Sequence, residues 1–363
     1  MPRVVSVGEC VPPFEVSQEQ TVEFAKELFQ DSFKEISRLL QVFEKGQIQK
    51  RNFTTDLSWF KRDHSFEHKN ILYIENAINF GVQAIEQCLT NELFLKKSIP
   101  YSEIDALFFI SSTGISTPSI DARIMNKLPF SPHIKRIPIW GLGCAGGASG
   151  LSRAYEYCKA FPDSKVLILS VELCSLTFQR NDRTKSNLIG TSLFADGVAC
   201  ACVVGNSVNV AEISQLSTLP TIIDTQSTIM KDSEDVMGWE VKNEGLYVVF
   251  SKDIPAIIST WLRPNVIKLL SEHKVEICQI NHFIAHPGGK KVLEAYEQSL
   301  GMEPEKTKIS FDVLREHGNM SSATLLYVLK RFMKLDSIKP GDYGLAAALG
   351  PGFSSELLLL KWE

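Results

Sequence analysis

Two stretches of this 363-residue chain, SKVLILSVEL (residues 164–173) and GVACACVVG (residues 197–205), carry near-continuous apolar runs. A strand with one face in water alternates apolar and polar side chains, so a run with no polar face must be covered on both sides. Such strands belong in a sheet packed between layers of helices. The chain supplies those helices. Apolar residues recur at helical spacing in TVEFAKELFQDSFKEISRLLQVFEK (residues 21–45) and YIENAINFGVQAIEQCL (residues 73–89). RVVSVG near the N-terminus and IDALFFI, which runs into the polar loop SSTG, read as further strands. The alternation predicts an α/β architecture.

The pattern recurs in the second half of the chain. SKDIPAIISTWLRPNVIKLLSEH (residues 251–273) reads as a helix despite its prolines, INHFIAH (residues 280–286) as a strand, and GKKVLEAYEQSL (residues 289–300) as a helix. NMSSATLLYVLKRFM (residues 319–333) is helical in pattern, and YGLAAALG and SSELLLLKW are two strands parted by Gly-Pro-Gly. This predicts two similarly built halves, residues 1–214 and 215–363, with the boundary in the stretch Ser207–Thr221. No long linker or low-complexity segment lies there, so the halves are expected to pack as one body.

A formal net charge of −4 gives no basis for nucleic-acid or acidic-membrane binding. Small basic clusters, Gln49–Arg51 and Lys61–Asp63, read as solvated surface. None of the apolar runs approaches the roughly 20 residues of a membrane span, and the apolar part of the N-terminus is too short for a signal peptide. The eight cysteines (10, 88, 144, 158, 174, 200, 202 and 278) form no CxxC pair and no disulfide framework. A reduced, cytoplasmic protein is expected.

One of these cysteines has a distinctive setting. In RIPIWGLGCAGGASGLSRAYEYC (residues 136–158), Cys144 lies between glycines, after a short apolar run and before a helical pattern. A strand entering a helix through small residues exposes the side chain at the corner, and a helix N-terminus favours a thiolate. Gly143, Gly146 and Gly147 permit unusual backbone angles or close approach. Two later segments have the same character. In FIAHPGGKKVLEAY, His286 ends a strand before Pro287, Gly288 and Gly289; in EHGNMSSATLLYVL, Asn319 follows Gly318 at an expected helix start. Three polar groups at glycine-flanked element ends point to one site. His64, His68, His133, His273, His282 and His317 have no such setting. Metal-ligand spacing, a Walker loop and a dinucleotide fingerprint are all missing from the sequence, so no cofactor is expected.

GLGCAGGASG, AHPGGKKVL, GNMSSAT and the terminal GPGFSSE resemble the type III polyketide synthases, the chalcone and stilbene synthase family of the thiolase fold. SSTGISTPSID and SLFADGVACACVVG fall where that family has similar segments, and the likeness is greater to its bacterial members than to its plant members. The resemblance implies layered αβαβα architecture and a homodimer. It implies that Cys144 is the nucleophile, His286 the base and oxyanion partner, and Asn319 the second oxyanion donor. Coenzyme A thioesters, an acyl-CoA starter and malonyl-CoA, would be substrates.

By the same resemblance Phe194 guards the passage between the coenzyme A tunnel and the pocket. A second guarding phenylalanine is expected in EGLYVVFSKDIP, where this chain places Val248, with Phe250 two residues on. Thr113, Thr117, Thr177 and Ser321 fall at pocket-lining positions of the family, and Gly350, Pro351 and Gly352 at its pocket-supporting loop. Small residues there leave volume for a medium- or long-chain acyl starter, with alkylpyrones, or alkylresorcinols, as products. The alternative is an initiating ketosynthase of fatty-acid synthesis, which shares the Cys–His–Asn set, works with acyl carrier protein and stops after one condensation. A thiolase needs a second late cysteine, and none follows Cys278. A papain-like peptidase orders Cys, His and Asn in the same way, but its cysteine signature is missing. A non-catalytic acyl-binding protein would bind acyl-CoA without becoming acylated.

Overall fold

The computed structural model describes residues 1–29 and 36–363. The chain opens with β1 (Arg3–Cys10), β2 (Phe14–Ser17), α1 (Gln18–Phe29), α2 (Ile36–Gly46) and β3 (Lys50–Phe53). Then follow α3 (Phe66–Leu89), β4 (Ala106–Ile110), α4 (Ile120–Ile124), β5 (Lys135–Ile139) and α5 (Gly146–Ala160). β6 (Lys165–Leu173), α6 (Lys185–Leu193), β7 (Asp196–Val204) and α7 (Val210–Ile213) come next. The later part contains β8 (Pro220–Ile229), β9 (Met237–Lys242), β10 (Gly245–Phe250), α8 (Ile254–Glu272), β11 (Ile280–Ala285) and α9 (Lys290–Leu300). It ends with α10 (Lys308–His317), α11 (Ala323–Met333), β12 (Tyr343–Gly350) and β13 (Ser354–Trp362). The helical pattern expected over residues 21–45 is thus α1 and α2, with its middle, residues 30–35, outside the described residues.

Nine strands form one sheet in the order β11-β12-β13-β8-β1-β7-β6-β4-β5. β1 and β8 meet at its centre through the single pair Arg3–Thr221. Outward from that junction the two sides follow the same rule. β1–β7 and β7–β6 are antiparallel and β6–β4 is parallel. On the other side β8–β13 and β13–β12 are antiparallel and β12–β11 is parallel. Only the β5 end has no counterpart. Its residues are exposed or half-buried, so the apolar run before Cys144 is an edge strand.

The layers follow from what each strand face touches. α3 packs on β1, β7 and β6, and α8 packs on β13 and β8 with α9 against it. Between the two sets of strands lie α5 and α11, each in contact with strands of both sides. The result is the expected α/β thiolase-like arrangement αβαβα. The run LLLL of β13 shows how sequence builds it. Alternate side chains point to opposite faces, so Leu357 and Leu359 join the core under α8 and α9. Leu358 and Leu360 join the core that contains α5 and α11. β7 is buried along its whole length for the same reason.

α5 could not occupy the middle layer with larger residues. A Cβ on Gly147 would lie 2.2 Å from the Ser322 carbonyl oxygen, and one on Gly150 2.5 Å from Ile168. The glycines after Cys144 therefore serve close helix packing against α11 and the strands, far inside any normal carbon contact.

Candidate active site

Cys144 sits in a single 3₁₀ turn, Gly143–Ala145, that leads directly into α5. Gly143 has φ +46°, a left-handed backbone that L side chains rarely adopt. Pro351 lies over it, 2.8 Å from where a Cβ would be. Gly350 supports the turn from below: a Cβ there would come within 2.4 Å of the Leu142 carbonyl oxygen. Gly352 has φ +120° and lets the β12–β13 connection turn around this contact.

Asn319 reaches the thiol from another loop, with both amide atoms 3.9 Å from Cys144 Sγ. Its orientation is fixed on two sides. The Ser321 backbone N–H donates to Oδ1 at 2.8 Å, and Nδ2 donates to the Gly288 carbonyl at 3.2 Å. The other Nδ2 hydrogen is directed at Cys144 Sγ. Asn319 is not at a helix start as expected from its sequence setting: α11 begins at Ala323, and Asn319 pairs with Phe194 in a short parallel bridge.

His286 follows the last residue of β11 and is buried. Its backbone is fixed by bonds from its own N–H to Ala347 O and from Gly288 N–H to its carbonyl. Gly288 therefore joins the histidine loop to the asparagine. Among the described residues neither ring nitrogen of His286 has a hydrogen-bond partner. A buried, unpaired imidazole costs stability, which argues for a working role.

Burial dominates the electrostatics. It pushes the Cys144 thiol up to about 12, with the Glu172 charge adding to the rise and the Ser321 and Asn319 side chains opposing it. It draws His286 down to about 3. A helix terminus contributes roughly 0.3–1 kcal/mol, less than a three-unit shift represents. The resting site thus favours a neutral thiol and a neutral imidazole, and a thiolate–imidazolium pair requires proton transfer within the site. Glu172, one residue before the end of β6, accepts from the Ser112 backbone N–H at 3.1 Å and the Ser322 hydroxyl at 2.6 Å, and is raised by burial to about 7.

Cys144, Ser321 and Pro351 open on a cavity of about 330 Å³ whose far wall is the β9–β10 hairpin. Phe194 lines both this cavity and the next one. It stacks on Phe250 at 5.5 Å between centroids and tilts against Trp239 at 6.0 Å. Val248 faces the same space and pairs with Trp239 across the hairpin. An aromatic contact with Phe194 is therefore present, supplied by Phe250 and Trp239. Period-two alternation puts Phe250 on the Val248 face; no sequence signal marks Trp239, which arrives by cross-strand pairing.

Beyond Phe194, Trp239 and Val248 lies a larger cavity of about 550 Å³, walled by Phe24, Phe53, Phe60 and Phe178 and reaching Cys174 and Thr177. Thr177 and Thr113 share a smaller one of about 230 Å³ beside Lys69. Their hydroxyls are occupied by the backbone, Thr177 donating to Cys174 O and Thr113 accepting from Leu173 N–H. Thr117 is not brought to the site: it is exposed on the loop before α4. Arg51, read as solvated surface, is fully buried in the wall of the larger cavity.

A buried thiol beside a carboxamide, with a buried imidazole tied to that carboxamide through Gly288, is on a thiolase-like fold the donor set of a condensing acyltransferase. Residues 2–207 match the N-terminal domain of the chalcone and stilbene synthases, and residues 221–362 their C-terminal domain. The chain is 54% identical over 360 residues to the "Putative chalcone synthase" of Bacillus subtilis (strain 168), covering 99% of this chain and 98% of the relative. It is 30% identical to the "Alpha-pyrone synthesis polyketide synthase-like Pks18" of Mycobacterium tuberculosis (strain CDC 1551 / Oshkosh), covering 95% of this chain and 87% of that one. The crystal structure of 1,3,6,8-tetrahydroxynaphthalene synthase from Streptomyces coelicolor A3(2), a bacterial type III polyketide synthase, superposes with TM-score 0.90 at 27% identity over 99% of both chains. The chain belongs to the chalcone and stilbene synthase family. It is a type III polyketide synthase, an acyltransferase that condenses malonyl-CoA onto a starter.

Proposed function

We propose that the starter is a medium- or long-chain acyl-CoA and that the products are mainly alkylpyrones, with alkylresorcinols as the alternative cyclisation. The observation that carries this is the aromatic-walled cavity next to the thiol's own, parted from it by Phe194, Trp239 and Val248. An alkyl tail needs continuous apolar volume and little polar recognition. The name of the mycobacterial relative supports a pyrone product.

In this reading His286 takes the Cys144 proton as the sulfur attacks the acyl thioester, and returns it to the departing coenzyme A thiolate. Malonyl-CoA then enters and loses CO₂. The enolate oxygen is held by the imidazole N–H of His286 and by the Asn319 amide N–H that faces Cys144 Sγ in the resting site. The enolate carbon attacks the Cys144 acyl thioester, and the thiolate leaves. The longer chain returns to Cys144 for another round, and cyclisation releases it. Phe194, Val248, Thr177 and Ser321 border the route, with Thr113 behind it, and Gly350, Pro351 and Gly352 support the Cys144 turn.

The proposal extends to a cytoplasmic homodimer whose two halves divide near residue 214. The uncovered edge strand β5, with Ile115 and Trp140 exposed near it, supports a second copy as the partner. No helix of the described residues is long and apolar enough to cross a membrane. The test is a panel of starter-CoA esters of increasing chain length, with malonyl-CoA and product masses as the readout. Pyrones from long starters are expected. A single condensation that requires acyl carrier protein would instead identify an initiating ketosynthase.

A further inference from the structure

A helix leaves its last carbonyls without intrahelical donors, and at the end of α6 the whole set is met from outside the helix. Thr191 O and Phe194 O both accept from Arg51 Nη1, at 2.7 and 2.8 Å. Ser192 O accepts from Gln18 Nε2 at 3.3 Å. Leu193 O accepts from the Asn319 backbone N–H at 2.9 Å, and Ala195 N–H returns a bond to Asn319 O at 2.9 Å. The end of α6 is thus held on one side by Arg51 and Gln18, and on the other it holds Asn319.

Arg51 is a costly residue to place here. It is fully buried, its partners are uncharged carbonyls, and the nearest counter-charge is the buried carboxylate of Asp196. Burial of that kind persists where a fixed fork of donors is needed. Gln18 Oε1 accepts from Nη2 at 3.2 Å, and the guanidinium lies over the Phe53 ring at 5.4 Å. The stem of Arg51 also fits against Gly318, where a Cβ would come within 2.7 Å of Arg51 Cγ and Cδ. Gly318 has φ +72° and directly precedes Asn319. The arginine therefore touches both strands of the Phe194–Asn319 bridge.

We propose that Arg51 is a positioning residue for malonyl-CoA decarboxylation: by fixing the end of α6 it places Phe194 and, across the bridge, the Asn319 amide beside Cys144. The inference rests on the reading of Asn319 as an enolate donor. Loading of a short starter, whose acyl group does not reach the larger cavity that Arg51 walls, depends on Cys144 and His286 and does not run through this clamp.

The test compares two rates in Arg51→Lys and Gln18→Ala. One is conversion of malonyl-CoA to acetyl-CoA, and the other is acylation of Cys144 by a short-chain acyl-CoA that does not reach the larger cavity, followed by intact mass. A misplaced catalytic group can cost about 10²-fold, so Arg51→Lys should slow decarboxylation about 10- to 100-fold while acylation stays near the parent rate. Gln18→Ala should shift the ratio in the same direction by less; being half-buried and uncharged, it carries the test if Arg51→Lys does not fold. In an Asn319→Ala background, Arg51→Lys, or Gln18→Ala in its place, should cost decarboxylation nothing further, because residues acting through one group are not additive. An unchanged ratio, or an undiminished loss in the Asn319→Ala background, overturns the inference alone. If Asn319→Ala itself leaves decarboxylation intact, the reading of Asn319 falls and the inference with it.

Discussion

The turn that carries Cys144 and the hairpin that faces it across the cavity are built in opposite ways. The turn is pressed between α11, the Gly350–Gly352 loop and the middle layer, so closely that Gly143, Gly147 and Gly350 admit no side chain without moving backbone or a packed ring. The hairpin β9–β10 is a separate two-stranded sheet whose residues facing Phe194 are half-buried. In the function proposed above, one region fixes atoms for chemistry, and the other presents replaceable side chains to the substrate. Substitutions in the turn should therefore act on whether reaction occurs, and substitutions in the hairpin on which starter is used.

The largest effect tests the first half of that contrast. Cys144→Ala should abolish acyl-enzyme and product, while malonyl-CoA decarboxylation persists through His286 and Asn319. An acyl adduct at another cysteine, seen by peptide mass, would remove Cys144 from its role. Next in size is Asn319→Asp. A carboxylate has no N–H for the enolate oxygen and repels its charge, so decarboxylation should fall about 10²–10³-fold, with loading less affected. Equal loss of both rates would mark a structural role for the bridge.

Val248→Phe probes the hairpin. Overfilling packed space costs roughly 1–3 kcal/mol, which corresponds to about a five- to 150-fold fall in kcat/KM for long starters relative to short ones. Val248 lies 3.5 Å from the place a Gly190 side chain would take, next to Phe194, so added rings meet that phenylalanine. An unchanged ratio in a folded, active variant would take Val248 off the acyl route. The smallest effect is on stability. Burial raises Glu172 from 4.5 to about 7, so its protonated form favours the fold. That contribution is complete below pH 4.5 and is lost as pH rises through about 7. The denaturant midpoint should drop between about pH 4.5 and 7, and drop less in Glu172→Gln. Identical profiles would show that Glu172 does not hold the proton.

The same contrast decides what could be read in the sequence. Cys144, His286 and Asn319 stand out because each interrupts an apolar pattern beside glycines, and the structure brings Cys144 and Asn319 together and ties His286 to them through Gly288. The layered fold was equally legible, since strands buried on both faces leave few architectures open. Phe250 and Trp239 were not legible as partners of Phe194, because their contact depends on hairpin register. Arg51 was missed for a different reason: a cation in a short basic cluster reads as surface, and only the uncapped end of α6 explains its burial. Asn319 lies beside Cys144, but not at the helix start that its sequence setting suggests, since the helix begins four residues later.

The position of α5 and α11 between the two sets of strands has a consequence for how the molecule holds together. Each helix rests on strands from both sides of the β1–β8 junction, so either side of the chain alone would lack half the covering of its neighbour's helix. Separately expressed fragments 1–214 and 215–363 would each show water a surface meant for the other and should associate or precipitate. In the intact chain, loosening one sheet strips the shared middle from the other. Heat or denaturant should therefore melt the protein in one step, and damage far from Cys144 is felt at Cys144 as loss of the whole, with no stage in which only half is gone.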